Sequence, residues 1–409
     1  MSTQMIADRI PIVDVDSHVI EPPDLWSARM PKKYADIQPR VVHVDSRGED
    51  FWLIGDIPAS TAWGLAAAGW HEHLPSHPKR FEDAPDTMYS ATARVRALDE
   101  HGVSAQVLYP NILGFSINTL LSVGDSAFHL ACVQAYNDFL SDWANEAPGR
   151  FVPVMALPFW DVDASVAEIE RAAANGHKGI LFAGEPKKGG FPRLRDKHWD
   201  PIWAAAQANE LSINFHVGFG SIPANRSAKD KSKQAGGIDQ MMTAAANDTG
   251  ADGPQMSLVK FTTLGLMGNA ETIVELIVSG ILDRFPSLKF VSVESGFGYI
   301  PYLLETMDWQ WLNTGAAHAN PGRMLPSEYF KRQVYGSFWF EHQSLTRLVD
   351  LYPDNVMFET DFPHPTCLAP GPVSYTDSAR NVIEQNLSAL PEDLLKKILH
   401  DNAAKLYNL

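Results

Sequence analysis

The chain has 409 residues, of which 45% are hydrophobic and 20% charged, so it can bury a large core and has the composition of a globular enzyme. Its formal net charge of -16 and pI of about 5.3 argue against nucleic acid and anionic membrane surfaces as partners, because both are negatively charged. Cys132 and Cys367 lack the spacing of a disulfide framework or a thiolate zinc site. We therefore expect a cytoplasmic protein that acts on a small molecule.

Short apolar runs alternate with helix-period segments, which is the pattern of repeated βα units around a parallel sheet. Eight strands are predicted, at Ile12–Asp16, Ala105–Tyr109, Val152–Ala156, Gly179–Ala183, Ser212–His216, Lys289–Glu294, Gln333–Phe338 and Asn355–Thr360. Helices are predicted at Met88–Glu100, Ala127–Glu146, Ala164–Asn175, Asp200–Asn209, Glu271–Ser279, Ile300–Asn313 and Ser344–Leu351. This alternation predicts an α/β fold, a (β/α)8 TIM barrel.

Two insertions interrupt the alternation, at about residues 21–87 after strand 1 and 217–257 after strand 5. Both follow strands that end in metal-type side chains, so we expect them on the face where βα loops carry active sites. The first contains two alternating runs between Pro39 and Trp52 around a turn with a glycine, which predicts a β-hairpin. The second is rich in Ala, Gly, Ser, Lys and Asn, which is typical of a mobile lid. We expect residues 1–409 to form a single barrel domain with these two lid-like insertions.

Four side chains at the ends of predicted strands have the chemistry of metal ligands. Asp16 and His18 are two residues apart on a strand, so both project to the same side. His216 ends an apolar strand, and Asp361 follows the last strand. A single such residue is more often a satisfied polar group or a helix cap. Four of them at one mouth of a barrel predict a site for a divalent metal with a position open to water or substrate.

Longer motifs surround these residues. They are Asp16-Ser17-His18, Glu21-Pro22-Pro23-Asp24-Leu25-Trp26, Asp200-Pro201-Ile202-Trp203, Glu294-Ser295-Gly296, Thr360-Asp361-Phe362-Pro363-His364 and Asp401-Asn402-Ala403-Ala404-Lys405-Leu406-Tyr407. Together they resemble the amidohydrolase-related family that includes aminocarboxymuconate-semialdehyde decarboxylase, over essentially the whole chain. The resemblance implies a metal-dependent TIM-barrel enzyme with ligands at Asp16, His18, His216 and Asp361. It also implies hydrolysis or non-oxidative decarboxylation of a small organic substrate, through metal-activated water or a polarised carbonyl.

The chain departs from the decarboxylase pattern at three positions. Glu294 stands where those relatives usually carry a histidine, His364 stands where several carry an aromatic residue, and the first strand has Asp16-x-His18 in place of His-x-His or Glu-x-His. Glu21, Glu294 and His364 are therefore candidate ligands of a second metal. A carboxylate-rich set without thiolate suits iron or manganese better than zinc. This set resembles a smaller branch of the superfamily that activates dioxygen at a dinuclear iron or manganese/iron centre.

Each added ligand has an ordinary alternative. Glu21 is also suited to capping the segment that begins at Pro22, and His364 to stacking in a loop. Glu294 is equally suited to orienting His216 or to acting as a general base, and Asp361 is a second acid/base candidate.

Five aromatic residues near the predicted loops are candidates for an apolar substrate pocket, although ordinary packing explains such residues as well. They are Trp26, Phe219, Phe297, Phe338 and Phe362. No glycine-rich phosphate loop follows the first strand, so we expect no nucleotide cofactor. The apolar residues of Trp309-Gln310-Trp311-Leu312 are a candidate contact of a homo- or hetero-oligomer, and packing on the barrel explains them equally well.

Three functions remain open from the sequence. The first is a hydrolase or carboxy-lyase that uses one ion of zinc, iron or manganese. The second is a dinuclear Fe/Fe or Mn/Fe oxygenase that binds O2 and oxidises a small organic substrate. The third is a catalytically silent subunit of a hetero-oligomer, which retention of all seven candidate ligands disfavours.

Overall fold

The computed structural model describes residues 4–219 and 254–409. The strands are, in chain order, β1 (Ile12–His18), β2 (Arg40–Val44), β3 (Glu49–Ile54), β4 (Ile57–Thr61), β5 (Val103–Tyr109), β6 (Phe151–Met155), β7 (Gly179–Leu181), β8 (Ser212–His216), β9 (Phe290–Val293), β10 (Val334–Phe338) and β11 (Val356–Phe358). In this part of the chain, eight of them form a parallel sheet in the order β1-β5-β6-β7-β8-β9-β10-β11. The predicted (β/α)8 barrel and its eight strands are confirmed.

Backbone hydrogen bonds close the barrel at the end where its strands finish. The N–H of Asp361 donates to the carbonyl of Asp16 at 2.9 Å, and the N–H of His18 donates to the carbonyl of Phe362 at 2.7 Å. The two candidate ligands of β1 are therefore held in register with the segment after β11. All seven residues of β1 are buried, as expected for a barrel strand with side chains inside it and helices outside.

Helices cover the outer face of the sheet. The described helices are α1 (Ile6–Arg9), α2 (Leu25–Arg29), α3 (Ala91–His101), α4 (Ile112–Phe115), α5 (Ile117–Leu121), α6 (Ser126–Asn145), α7 (Val162–Ala174), α8 (Asp200–Ala208), α9 (Pro254–Leu266), α10 (Asn269–Val278), α11 (Ile281–Arg284), α12 (Ile300–Asn313), α13 (Ala316–Ala319), α14 (Pro326–Gln333), α15 (Leu345–Leu348), α16 (Ala379–Leu387), α17 (Glu392–Lys396) and α18 (Asn402–Tyr407). The predicted helix at Ile300–Asn313 has the observed bounds. The segment predicted as a helix at Ser344–Leu351 is α15 followed by a 3-10 turn.

The first insertion contains an antiparallel sheet. Strands β2 and β3 form the predicted hairpin, and β4 adds a third strand at its edge. The N–H groups of Ala67 and Ala68 both donate to the carbonyl of Pro363, at 3.0 and 2.9 Å. These bonds join the insertion to the loop that carries His364. Most of the second predicted lid, residues 220–253, lies outside the described residues.

Within the described residues, one helical run, Gln255–Val278, is long and apolar enough to cross a membrane by length and composition. The run comprises α9 and α10, which are separated by a turn at Met267 and Gly268. Helix α10 buries Ile273, Leu276 and Ile277 in the core. An apolar helix that packs on a barrel passes the same test of composition as a span.

Candidate metal centre

The four ligands predicted first converge at the mouth of the barrel. The Nε2 atom of His18 lies 3.1 Å from Nε2 of His216, 3.5 Å from Oδ1 of Asp16 and 3.9 Å from Oδ1 of Asp361. Nε2 of His216 lies 3.4 Å from the same oxygen of Asp16. All four residues are buried. β1, β8 and the segment after β11 thus bring imidazole and carboxylate groups from distant parts of the sequence to one point.

Hydrogen bonds to the backbone fix both imidazole rings. Nδ1 of His18 lies 3.1 Å from the carbonyl of Tyr109, and Nδ1 of His216 lies 2.8 Å from the carbonyl of Val217. A carbonyl only accepts, so each Nδ1 carries the proton and each Nε2 is left with its lone pair. Each ring therefore offers one nitrogen, Nε2, to the centre, which is the usual arrangement of a metal-bound histidine.

The donor set fits a divalent cation. Both carboxylate oxygens of Asp16 and Oδ1 of Asp361 are buried and make no hydrogen bond with the described residues; Nδ1 of His364 approaches Oδ1 of Asp361 at 2.8 Å without the geometry of a hydrogen bond. Unpartnered buried carboxylate oxygens are costly, and two imidazole lone pairs face each other beside them. Burial, His364 and His216 together lower the pKa of His18 well below its usual value, which keeps it in the neutral ligand form. A cation at this point satisfies all of these groups at once.

Two of the three additional candidates reach the same centre. Oε2 of Glu294 lies 3.5 Å from Nδ1 of His216, and carboxylate oxygens of Glu294, Asp16 and Asp361 lie within 4.8 Å of one another. Nδ1 of His364 lies 2.8 Å from Oδ1 of Asp361. The His364 ring stacks on that of His18, with centroids 3.8 Å apart.

The backbone at two of these residues is strained. Glu294 and Asp361 have φ angles of 52° and 60°, in the left-handed region that residues other than glycine rarely adopt. Glu294 directly follows β9, and Asp361 lies three residues beyond the end of β11. Strain of this kind is common at functional sites.

Glu21 does not join the ligand groups found among the described residues. Its Oε1 accepts the N–H of Asn111 at 3.0 Å and the N–H of Ile112 at 2.9 Å. These are the free N–H groups at the start of α4, so the carboxylate holds the loop after β5. The alternative reading of Glu21 as a capping residue thus describes its position better than metal contact, although the helix is α4 and not the segment beginning at Pro22.

Sequence reasoning missed a buried carboxylate behind the centre. Glu359 is fully buried; its Oε2 accepts the N–H of Glu294 at 3.2 Å, and its Oε1 has no partner among the described residues. Burial and the carboxylate of Asp16 raise the pKa of Glu359 well above its usual value. Burial, Asp361, Asp16 and Glu359 likewise raise the pKa of Glu294. A signal was present, since Glu359 lies in the strand-end motif two residues before Asp361.

A second group of buried polar residues, also missed from the sequence, supports β1. Asp14 accepts hydrogen bonds from the N–H of Thr360 at 2.8 Å and from Nε2 of Gln106 at 2.8 Å. Arg94, also fully buried, donates to Oε1 of Gln106 and to the carbonyl of His18, at 3.0 and 2.8 Å. Burial raises the pKa of Asp14 to about 7 and lowers that of Arg94 to about 9. This network ties the strand that bears Asp16 and His18 to the segment before Asp361.

The centre opens on a cavity of about 520 Å³. His216, Glu294, His364 and Thr366 are among its polar lining residues, and Leu65, Phe115, Phe219, Phe261 and Leu266 are among its apolar ones. Of the five predicted pocket residues, Phe219 lines the cavity. The other four do not: Trp26, Phe297 and Phe338 are fully buried core residues, and the ring of Phe362 lies beneath the guanidinium of Arg94 at 4.4 Å. Proximity to a strand end did not reveal which way these rings point.

Comparisons with known proteins agree with this architecture. Residues 14–409 match the family described as Amidohydrolase. A gamma-resorcylate decarboxylase of Polaromonas sp. strain JS666 is 26% identical over 326 residues, covering 77% of this chain and 86% of that protein.

Two solved structures share the fold. An amidohydrolase from Mycobacterium avium subsp. paratuberculosis K-10 has a TM-score of 0.72 at 22% identity, covering 97% of this chain and 99% of that one. A dihydroxybenzoic acid decarboxylase from Polaromonas sp. JS666, with bound manganese and the inhibitor 2-nitroresorcinol, has a TM-score of 0.61 at 19% identity, covering 98% and 97%.

Proposed function

This chain belongs to the amidohydrolase family, and from that premise we propose that it is a metal-dependent, non-oxidative decarboxylase of a small aromatic carboxylic acid. The observation that carries the proposal is the buried set of unpartnered carboxylate oxygens and imidazole nitrogens at the end of a largely apolar cavity. The relatives reported above include decarboxylases of hydroxylated benzoates, which favours this reaction over dinuclear oxygen activation.

The proposed ion is held by Asp16, His18, His216 and Asp361. A divalent ion there would polarise oxygens of the substrate and stabilise the negative charge that develops during the reaction. The carboxylate-rich donor set suits manganese or iron. His18 and His216 orient their Nε2 atoms through bonds to backbone carbonyls, and Arg94 fixes the strand that carries His18.

Decarboxylation breaks the bond between a ring carbon and the carboxylate carbon. The electron pair stays on the ring carbon, which takes up a proton, and carbon dioxide leaves, so no oxidant or reductant is consumed. Glu294 is placed to supply that proton, because its side chain lines the cavity, and burial together with the carboxylates of Asp361 and Asp16 raises its pKa and so favours its protonated form. Asp361 is not among the residues that line the cavity, so we assign it to holding the ion and facing His364.

The wall of the cavity supports an aromatic substrate. Phe115 and Phe219 offer ring surfaces, and Leu65 and Leu266 add aliphatic surface. A volume of about 520 Å³ leaves room for one or two fused rings with hydroxyl substituents. The proposed substrates are therefore hydroxylated benzoates or naphthoates.

The test is carbon dioxide release from a panel of these acids by protein stripped of metal and reloaded with Mn²⁺ or Fe²⁺, with and without oxygen. We expect release that requires metal and is unchanged without oxygen. His18→Asn should abolish it, whereas His318→Asn, the same change at an exposed residue of α13, should leave it intact. Oxygen consumption without release of carbon dioxide would support the oxygenase instead.

We also propose a cytoplasmic protein that assembles with a second copy of itself. Cys132 and Cys367 are both buried and unpaired, which suits a reducing compartment. Tyr302, Trp309 and Leu312 are 74%, 67% and 62% exposed and are spaced to share one face of α12. Light scattering should give a mass above that of one chain, reduced by Trp309→Glu but not by Leu351→Glu, which changes an apolar residue that is 46% exposed elsewhere.

A further inference from the structure

Asn111 links Glu21 to His364 at the edge of the metal centre. It follows β5, and both it and Glu21 are buried. Its side-chain Nδ2 donates to the carbonyl of Val19 at 2.9 Å and to Oε2 of Glu21 at 3.4 Å. Its Oδ1 lies 2.9 Å from Nε2 of His364.

The partners of the Asn111 amide fix its orientation. Nδ2 faces a carbonyl and a carboxylate, which only accept hydrogen bonds. The reversed amide would place its oxygen against these two acceptors and leave both without a donor in a buried site. Oδ1 must therefore face His364 and accept from it.

The orientation of the amide determines which nitrogen of His364 carries a proton. Because Oδ1 of Asn111 only accepts, Nε2 of His364 is the donor. Nδ1 is then the ring nitrogen that faces Oδ1 of Asp361 at 2.8 Å, and the side chain also lines the cavity. We infer that Asn111, anchored by Glu21, is a positioning residue that keeps Nε2 of His364 protonated and presents Nδ1 to the metal centre.

Glu21 is the anchor of Asn111 in this arrangement. Glu21 accepts three hydrogen bonds from Asn111 and Ile112, so it fixes the backbone and the side chain of Asn111 together. The consequence for metal binding rests on the proposed function, whereas the tautomer of His364 does not. Replacing the hydrogen-bond partner of a metal-facing histidine typically weakens metal binding about 10- to 100-fold.

The test measures the tautomer directly by ¹⁵N NMR of protein with labelled histidine, with the His364 signals assigned by their loss in His364→Asn. We expect Nε2 of His364 to carry a proton in metal-free and metal-loaded wild type. Asn111→Leu removes the acceptor, so both neutral tautomers should appear in the metal-free variant, and Mn²⁺ affinity should fall about 10- to 100-fold. An unchanged tautomer and an unchanged affinity in this variant would overturn the inference.

An exchange of the two polar groups between positions 21 and 111 tests the orientation of the Asn111 amide without leaving a cavity. In the double variant Glu21→Gln with Asn111→Asp, the donor between the two side chains comes from position 21, and an oxygen still faces His364. Net charge is conserved. The carbonyl of Val19 loses its donor in this variant, so we expect the metal affinity to return only in part. Protonated Nε2 should return relative to Asn111→Leu, and failure to restore it contradicts the inference. Because the NMR readout requires no turnover, loss of the proposed decarboxylase activity would not by itself count against Asn111.

Discussion

Asp16→Asn should change stability in opposite directions without and with metal. Oxygens of Asp16 and Asp361 lie within 4.8 Å, so their repulsion when both are ionised is about 3 kcal/mol at an effective dielectric constant of about 20. Against the effect of burial, the carboxylate of Asp16 raises the pKa of His216, and losing this attraction offsets part of the relief. We therefore expect the metal-free variant to be as stable as metal-free wild type, or more stable by roughly 1–2 kcal/mol.

With metal bound, we expect the Asp16→Asn variant to be less stable than the wild type. At 1,000 times the wild-type Kd, binding stabilises the wild type by about 4 kcal/mol. If the substitution weakens binding about 100-fold, the same concentration stabilises the variant by only about 1.4 kcal/mol. Urea unfolding followed by circular dichroism, in EDTA and in excess Mn²⁺, measures both differences.

Asp14→Asn is the matched control on the same strand. Asp14 accepts four hydrogen bonds, from the N–H groups of Asp16 and Thr360 and from the side chains of Gln106 and Thr360. An amide there turns a donor toward donors, so we expect a loss of about 2–3 kcal/mol with or without metal. Unfolding should be measured at pH 8, because burial raises the pKa of Asp14 to about 7 and the carboxylate has to be ionised for this comparison. We expect Asp14→Asn to destabilise the metal-free and the metal-loaded protein equally. If Asp16→Asn did the same, Asp16 would be a structural residue and not a ligand.

Three further predictions concern the centre and its support. Glu294→Gln should lower kcat by about 100-fold or more with little change in KM. We expect wild-type activity to fall as pH rises through the raised pKa of Glu294, and this fall should be absent from the variant; an unchanged pH profile would exclude Glu294 as the proton donor. In excess Mn²⁺, His364→Asn should retain one ion per chain by elemental analysis, at lowered affinity, whereas His18→Asn should lose it, and the reverse ranking would contradict the ligand assignment. Arg94→Lys should destabilise the fold by about 2–4 kcal/mol in urea, because one ammonium cannot replace its bonds to the carbonyls of Thr87 and His18 and to Gln106, and an unchanged midpoint would refute this.

The barrel was predictable because its strands are buried on both faces and so appear as short continuous apolar runs. The predicted Ser212–His216 strand has the observed bounds, and the remaining strands differ only at their ends. The family resemblance read from the motifs is confirmed by the match over residues 14–409. The extra strand β4 was missed because Pro58 and a short apolar run gave no clear alternation of apolar and polar residues.

The positions of the site residues were harder to predict than their identities. Sequence spacing placed Glu21 at a strand end, but its carboxylate bonds to the backbone beyond β5, a contact between residues 90 positions apart. Phe115 was missed because it lies on α4 within a segment where no helix was predicted, and it reaches the cavity only because that helix turns over the barrel mouth. Such contacts depend on tertiary packing, which the local periodicity of the sequence does not reveal.

Ring orientation decides how many ligand atoms this centre offers. Each of the three histidines commits one nitrogen to a fixed acceptor: His18 to Tyr109, His216 to Val217 and His364 to Asn111. Three imidazoles therefore supply three nitrogens, against carboxylate oxygens from Asp16, Asp361 and Glu294. The free nitrogens of His18 and His216 point to the same place and so serve one ion. Any second ion would therefore depend on Nδ1 of His364 for a nitrogen ligand and would share the carboxylate of Asp361 with the first.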